Sequence, residues 1–316
     1  MAIVAVCFAG AGLLGAPVAA QDATALAGRC VMVTAQPMDW CRELAVAASA
    51  LRAGLGFIAA GGTDVPGSAS TLGTKLGSVP RFSASLRPTL GRFKSPRVTG
   101  LVRSAVDEQT LWVPGVQGTI VLSVANGFSV LPTVGGILSL DLVGSASYLK
   151  LPGPEFDGNT GSIGMGARLG LLRESFTLPG LSVSIMHRAL GEARYGDPMA
   201  GDDAEIEFSL STTSARAVIG KDLIVMGFFA GVGWDWHRGT MNITAPRSGG
   251  GDTLVRDDFV DRRTMYFGGT SWTFLIVQAS VEVGWSSGFG DLPDRTGQFD
   301  PSSRPLFASA ALRVTL

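Results

Sequence analysis

The sequence predicts an all-β fold, an up-and-down antiparallel transmembrane β-barrel of about twelve strands, within a range of roughly ten to fourteen, after a short N-terminal helical segment. Three observations carry this expectation. Between Arg81 and Leu316 apolar and polar residues alternate over stretches of roughly ten residues, the length a tilted strand needs to cross a bilayer. Connections between those stretches run alternately long and short. Several apolar faces also end in tryptophan, at Trp234 and Trp236 and at Trp285, with Trp112 and Trp272 near strand ends. Such residues form girdles at membrane interfaces.

Taken from the N-terminus, residues 1–20 contain no charged side chain, run apolar from Ala2 to Leu14 and finish in Val18-Ala19-Ala20. This reads as a secretory signal cleaved after Ala20, although no Lys or Arg precedes the apolar run. Residues 21–51 form a short segment expected on the periplasmic side. It holds Cys30 and Cys41, and an even pair in an exported chain reads as a disulfide. Cys41 to Leu51 is the one plausible helix, with Leu44, Ala47, Ala48 and Leu51 on a face. Zinc needs four ligands, and the two histidines, His187 and His237, lie far from the cysteines, so no metal site is expected.

The barrel is expected to occupy 52–316, with strands near 52–62, 79–92, 97–106, 116–126, 136–149, 161–173, 180–190, 204–218, 223–238, 261–269, 272–286 and 304–316. Long connections at 63–78, 192–203, 239–260 and 287–303 are rich in Gly, Pro, Asp and Ser, whereas 93–96, 219–222 and 270–271 read as tight turns. The uncharged stretch 118–140 could pass for a spanning helix. Asn126-Gly127, Pro132 and Gly135-Gly136 interrupt it, and it is rich in Ile, Val and Thr, which favours two strands and a turn.

Lipid offers backbone N–H and C=O groups no partner, so strands span a membrane only when closure leaves no edge. In 224–237 one face carries Ile224, Met226, Phe228, Ala230, Val232, Trp234 and Trp236, and the other Gly227, Gly231, Gly233, Asp235 and His237. The first face suits hydrocarbon and the second water. In the last strand Ala308, Ala310, Leu312, Val314 and Leu316 alternate with Ser309, Ala311, Arg313 and Thr315. On these residues the chain resembles the bacterial outer-membrane β-barrel proteins as a broad class, over residues 52–316. The resemblance implies residence in outer-membrane lipid and recognition of the C-terminal strand by the assembly machinery. That strand usually ends in Phe or Trp in the class, and here it ends in Leu316.

With the apolar face outward, the lumen is expected to receive Arg81, Arg87, Arg97, Arg103, Arg168, Arg188 and Arg313, together with Asp141, Glu205, Glu207, Asp235 and Glu282. Most of the arginines come from early strands and most of the acids from later ones, which predicts a basic wall facing an acidic wall. A channel for small polar or anionic solutes follows, with inward Gly164, Gly166, Gly170, Gly227, Gly231 and Gly233 leaving space. The alternative is a structural or loop-binding barrel with a plugged lumen. A barrel hydrolase is a third reading, in which Ser209 or Ser211 would approach His237 and Asp235. No cofactor is expected, and a formal net charge of −1 gives no argument for nucleic acid. One phase conflict stands in 204–218: if Glu205 and Glu207 point inward, Arg216 points at lipid, and a bulge or an earlier strand end is needed there.

Overall fold

The fold is described by a computed structural model at residues 18–72, 81–97, 108–128, 137–151, 156, 158–172, 174–175, 178–197, 201–287, 299 and 303–316. Two helices come first. α1 (Val18–Thr34) ends before a turn through Ala35, and α2 (Met38–Ala60) follows with Pro37 at its N-cap and Asp39 in its first turn. Proline tolerates the unpaired N–H end of a helix, and an acid suits its positive pole. Cys30 and Cys41 form a disulfide across this turn, with their Cα atoms 5.6 Å apart.

Ten strands follow among the described residues: β1 (Arg81–Pro96), β2 (Glu108–Ala125), β3 (Ser139–Lys150), β4 (Asn159–Leu172), β5 (Gly180–Tyr195), β6 (Glu205–Leu223), β7 (Met226–Pro246), β8 (Asp252–Phe274), β9 (Val277–Ser286) and β10 (Leu306–Thr315). Each pairs antiparallel with its sequence neighbours, and β10 closes onto β1 from Ser83↔Thr315 to Arg92↔Leu306. Leu316 and Phe82 exchange backbone hydrogen bonds where that seam ends.

Among the described residues the count is ten, not about twelve, for two reasons. The strand expected at 52–62 is the last part of α2, so the boundary drawn between a 21–51 segment and the barrel falls inside one helix. The strand expected at 97–106 gives only Arg97, an exposed coil residue after β1; 98–107, with Arg103, lies outside the described residues. Of the expected signal, 1–17 lies outside them too, and 18–20 opens α1. The stretch 118–140 does divide between β2 and β3. Three expected turns move: β1 continues through 93–96, and the tight turns fall at Ile224-Val225 and Leu275-Ile276. Much of the expected loop 239–260 is strand, because β7 and β8 run well past the membrane.

The outer surface shows where the membrane lies. On the β6–β7 pair, apolar side chains face outward from Leu223 and Met226 up to Trp236. Ten residues of strand tilted by about 40° rise about 25 Å, the height of an apolar band. Tyr266 and Trp285 stack nearby with ring centroids 5.9 Å apart. Beyond this girdle the outward residues become Arg238, Glu207, Arg194, Arg256 and Asp258. At the opposite edge the hydrocarbon face reaches the turns themselves, where Ile224 and Leu275 are fully exposed at φ 52° and 56°. A β-branched residue in that region is a genuine outlier.

The strands thus form a spanning tier, between the turns and the girdle, and a collar above it. α2 descends through the collar into the lumen. The α1–α2 turn lies against the β7–β8 turn, where Ser248 N–H donates to the Thr34 carbonyl and Gln36 donates to the Pro246 carbonyl. The N-terminal segment therefore sits inside the ring and at the end opposite Leu316, not beneath the short turns.

Candidate functional site: the occupied lumen

In the collar the inward faces are apolar because they meet a helix rather than water. Phe93, Leu190, Ile206, Phe208, Leu210, Met241, Ile243, Val255 and Phe259 pack with Leu26, Leu44, Leu51 and Leu55 in one buried cluster. Arg52 on α2 lies with its guanidinium 4.2 Å from the Phe259 ring centre. Arg29 on α1 pairs with Asp257 on β8. The helix approaches β1 most closely: a side chain at Gly54 would strike the Phe93 ring, and one at Gly91 would strike Ile58.

Below α2 the chain continues as a coil, 61–72, and here the lumen arginines find their partners. Arg216 donates to the carbonyls of Ala60 (2.9 Å) and Gly62 (3.2 Å), and Arg87 to those of Gly61 (3.1 Å) and Thr63 (2.9 Å). Ala60 is the last residue of α2, Gly61 is its C-cap and the other two follow directly, so two cations stand at the negative pole of the helix dipole. Farther along, Arg313 donates to Pro66 O (3.2 Å), Arg168 to Ser68 O and Arg81 to Leu72 O (2.9 Å). Arg188 binds the Asp64 carboxylate at 2.6 Å. Six arginines from five strands thus hold one coil, five of them by backbone carbonyls. The acids complete the cradle: Glu282 accepts from Thr63 N–H (2.7 Å), and Asp141 from Leu72 N–H (2.8 Å).

The charges are interleaved, not sorted into walls. Arg216 lies 2.7 Å from Asp235, Arg87 lies 3.9 Å from Glu282, and Asp141 faces Arg168 across the β3–β4 register. The expected basic and acidic walls do not exist, because Arg216, Arg263 and Arg313 stand on late strands and Asp64 comes from the coil. Asp64 is off the spanning strands. Burial alone would raise its pKa, and Arg188 and Arg216 outweigh burial to hold the carboxyl below its ordinary range.

Of the residues expected in the lumen, Arg81, Arg87, Arg168, Arg188, Asp141, Asp235 and Glu282 are buried there, as is Arg313. Glu205 and Glu207 are not. They face outward on the collar, where Glu207 accepts from Arg194 at 2.9 Å, while Ile206, Phe208 and Leu210 point in. β6 pairs with β7 without a break, so the bulge proposed to rescue Arg216 is unnecessary; the register shift lies on β5, between Leu190 and Ala193. Arg97 is exposed coil, and Arg103 is outside the described residues. The inward glycines leave no free space either: a Cβ at Gly233 would meet Arg216, one at Gly231 Phe267, and one at Gly170 Thr71 of the coil.

The sequence reading missed Arg52, Asp64, Asp257, Asp261, Arg263 and Arg216 as interior groups. Even spacing from Asp235 and His237 across the β7–β8 register would have found Asp261 and Arg263. The serine–histidine arrangement is not formed: Ser209 and Ser211 lie on the outward face of β6, and the buried His237 meets Thr212 Oγ1 at 2.8 Å instead.

The disulfide belongs to the same assembly, since it ties α1 to the helix that enters the lumen. Its reduction is expected to cost the helical hairpin about 2–4 kcal/mol. Limited proteolysis checks this: cleavage within α1 should accelerate under dithiothreitol while the strands stay protected. Equal cleavage in both states would mean that packing alone fixes α1.

No family model matches the chain, and no curated relative matches it. Among solved structures, the outer membrane protease OmpT from Escherichia coli shares 11% identity, with 77% of this chain and 100% of that chain covered and a TM-score of 0.44. Neisserial surface protein A shares 11%, with 74% and 96% covered and a TM-score of 0.30. The translocator domain of the autotransporter NalP from Neisseria meningitidis shares 10%, with 77% and 90% covered and a TM-score of 0.36. These likenesses add nothing to the geometry. A closed, even-stranded antiparallel barrel with an apolar outer band is itself the architecture of the bacterial outer-membrane β-barrel proteins as a broad class.

Proposed function

We propose that this chain is a self-plugged barrel of the bacterial outer membrane, a structural scaffold that offers its collar, long connections and α1–α2 turn to other molecules and holds no standing pore. One observation carries the reading: α2 and the 61–72 coil fill the lumen, and the arginines that could have met a solute donate to that coil instead. The spanning tier below Trp236 and the charged collar above it support long connections facing outward and short turns facing the periplasm. Export with cleavage after Ala20, and insertion by assembly machinery acting on β10, belong to the same reading. It assigns no catalysis and no cofactor. Purified protein in planar bilayers is expected to give no steady conductance; an open, ohmic channel in the wild type would remove the plug from the proposal.

Porin-like passage of small polar or anionic solutes is the second reading, and one observation favours it. Hydrogen bonds to backbone carbonyls hold the coil whatever its side chains, so its departure would leave Arg81, Arg87, Arg168, Arg188, Arg216 and Arg313 lining the lumen. Current through a barrel whose plug has been loosened should then prefer anions. Equal anion and cation permeability would end this second reading and leave the first intact.

A further inference from the structure

We propose that the lipid-facing side of β10 is a groove for one acyl chain of an anionic phospholipid whose phosphate is held by Arg92 and Arg304. The proposal rests on the membrane placement above and is independent of whether the plug moves.

Alanine occupies two consecutive outward positions on β10, Ala308 and Ala310, between the larger Leu86 and Leu90 of β1 and Val281 and Val283 of β9. The strand surface is therefore lower than the surfaces on either side. Three cavities of about 430, 400 and 370 Å³ run along this depression. The first shares Ala310 and Val281 with the second, and the second shares Ala308 and Val283 with the third, so they form one channel from Leu312 to Leu306. Six residues of strand span about 20 Å. At a tilt of about 40° that is about 15 Å of depth, half of a ~30 Å hydrocarbon core, which is one leaflet. An acyl chain lying there meets apolar atoms on three sides instead of one, with the dispersion contacts that a flat wall lacks.

The two ends differ. Trp272 stands at the lower end, while the upper end opens between Trp112 and Trp285 at the girdle. Arg92 lines that mouth with its guanidinium 5.6 Å from the Trp112 ring centre. Arg92 pairs in register with Leu306, and the exposed Arg304 comes two residues before Leu306, at the same end. The neighbouring Lys94 is already held by Glu108 at 2.6 Å, which among the described residues leaves Arg92 and Arg304 as the cations at the mouth. Guanidinium at the headgroup level above an apolar slot complements a phosphate joined to a chain. A neutral lipid or a second barrel would fill the slot without using that charge.

The test uses full-length protein in nanodiscs of phosphatidylcholine containing a minor share of phosphatidylglycerol, with retained lipid read by native mass spectrometry. Wild type should retain phosphatidylglycerol in preference to phosphatidylcholine. Ala310→Phe, which fills the slot on a face already in lipid, should lower retention of both lipids about tenfold. Arg92→Gln with Arg304→Gln should abolish the preference for phosphatidylglycerol over phosphatidylcholine. Full retention by Ala310→Phe, or no preference in the wild type, would overturn the proposal. So would a wild-type dimer that Ala310→Phe dissociates with lipid retention unchanged, since that gives the groove to a second copy. Far-UV circular dichroism checks that each variant is folded.

Discussion

Arg216→Met is expected to lower the stability of the barrel to urea by roughly 3–5 kcal/mol, the largest loss from any single side chain in the lumen. The guanidinium holds three groups at once: Ala60 O, Gly62 O and the Asp235 carboxylate, all out of water. Methionine keeps most of the volume and leaves all three groups without the guanidinium. Asp235 then remains as a buried charge, although Arg216 approaches it as an ion pair at 2.7 Å without aligned hydrogen bonds. Removing one member of such a pair costs more than removing both, because the survivor keeps its desolvation penalty. Asp235→Leu added to Arg216→Met should therefore recover a large part of the loss. Arg216→Lys should fall between, since one ammonium cannot reach both carbonyls and the carboxylate with the geometry of a planar fork. Urea titration of the four proteins in detergent checks the order. Equal midpoints for Arg216→Met and wild type would show that the end of α2 is held by packing alone.

How much of this was legible depends on where the sequence rule was asked to apply. The rule that apolar residues look outward holds below the girdle, so the faces of β7, β9 and β10 and the burial of Arg87, Arg168 and Glu282 follow from period two alone. Above the girdle the solvent outside is water and the filling inside is a helix, and the same strand geometry carries the opposite chemistry. Glu205 and Glu207 point out and Ile206 and Phe208 point in, with no change of phase. The apparent conflict at Arg216 came from starting the phase on the wrong side of that boundary. The strand expected at 52–62 failed for a related reason. A helix buried on every side needs no polar face, so the last part of α2 has lost the 3.6-residue pattern that Cys41 to Leu51 still shows, and Gly54, Leu55, Gly56 and Phe57 imitate an alternation of two. Arg81, Arg87, Arg168, Arg188 and Arg313 were placed correctly and given the wrong partner, because nothing in strand periodicity reveals that the coil before β1 occupies the space between them.

Gly91→Val is expected to unseat α2 and turn a silent barrel into a conducting one. β1 and α2 interlock at two points: the Phe93 ring covers Gly54, and Ile58 lies over Gly91. Two methyl groups at position 91 would occupy the space of the Ile58 side chain, and overpacking a filled site of this kind costs about 1–3 kcal/mol. The wall cannot retreat, since β1 is paired along most of its length to β2 and to β10 in a closed ring. The strain therefore falls on the helix, which side chains such as Arg216 and Phe259 hold against the ring. Planar bilayers should show discrete conductance steps for Gly91→Val where wild type shows none, and protease should cut within α2. Ile58→Ala in the same chain vacates the space that valine needs, so the double variant should be silent again, with a coupling of about 1 kcal/mol or more between the two sites. A Gly91→Val barrel that is folded, protected and silent would mean that the helix and the wall can part by a few tenths of an ångström without opening a path. A double variant that still conducts would place the cause in β1 itself and not in the fit of helix to strand.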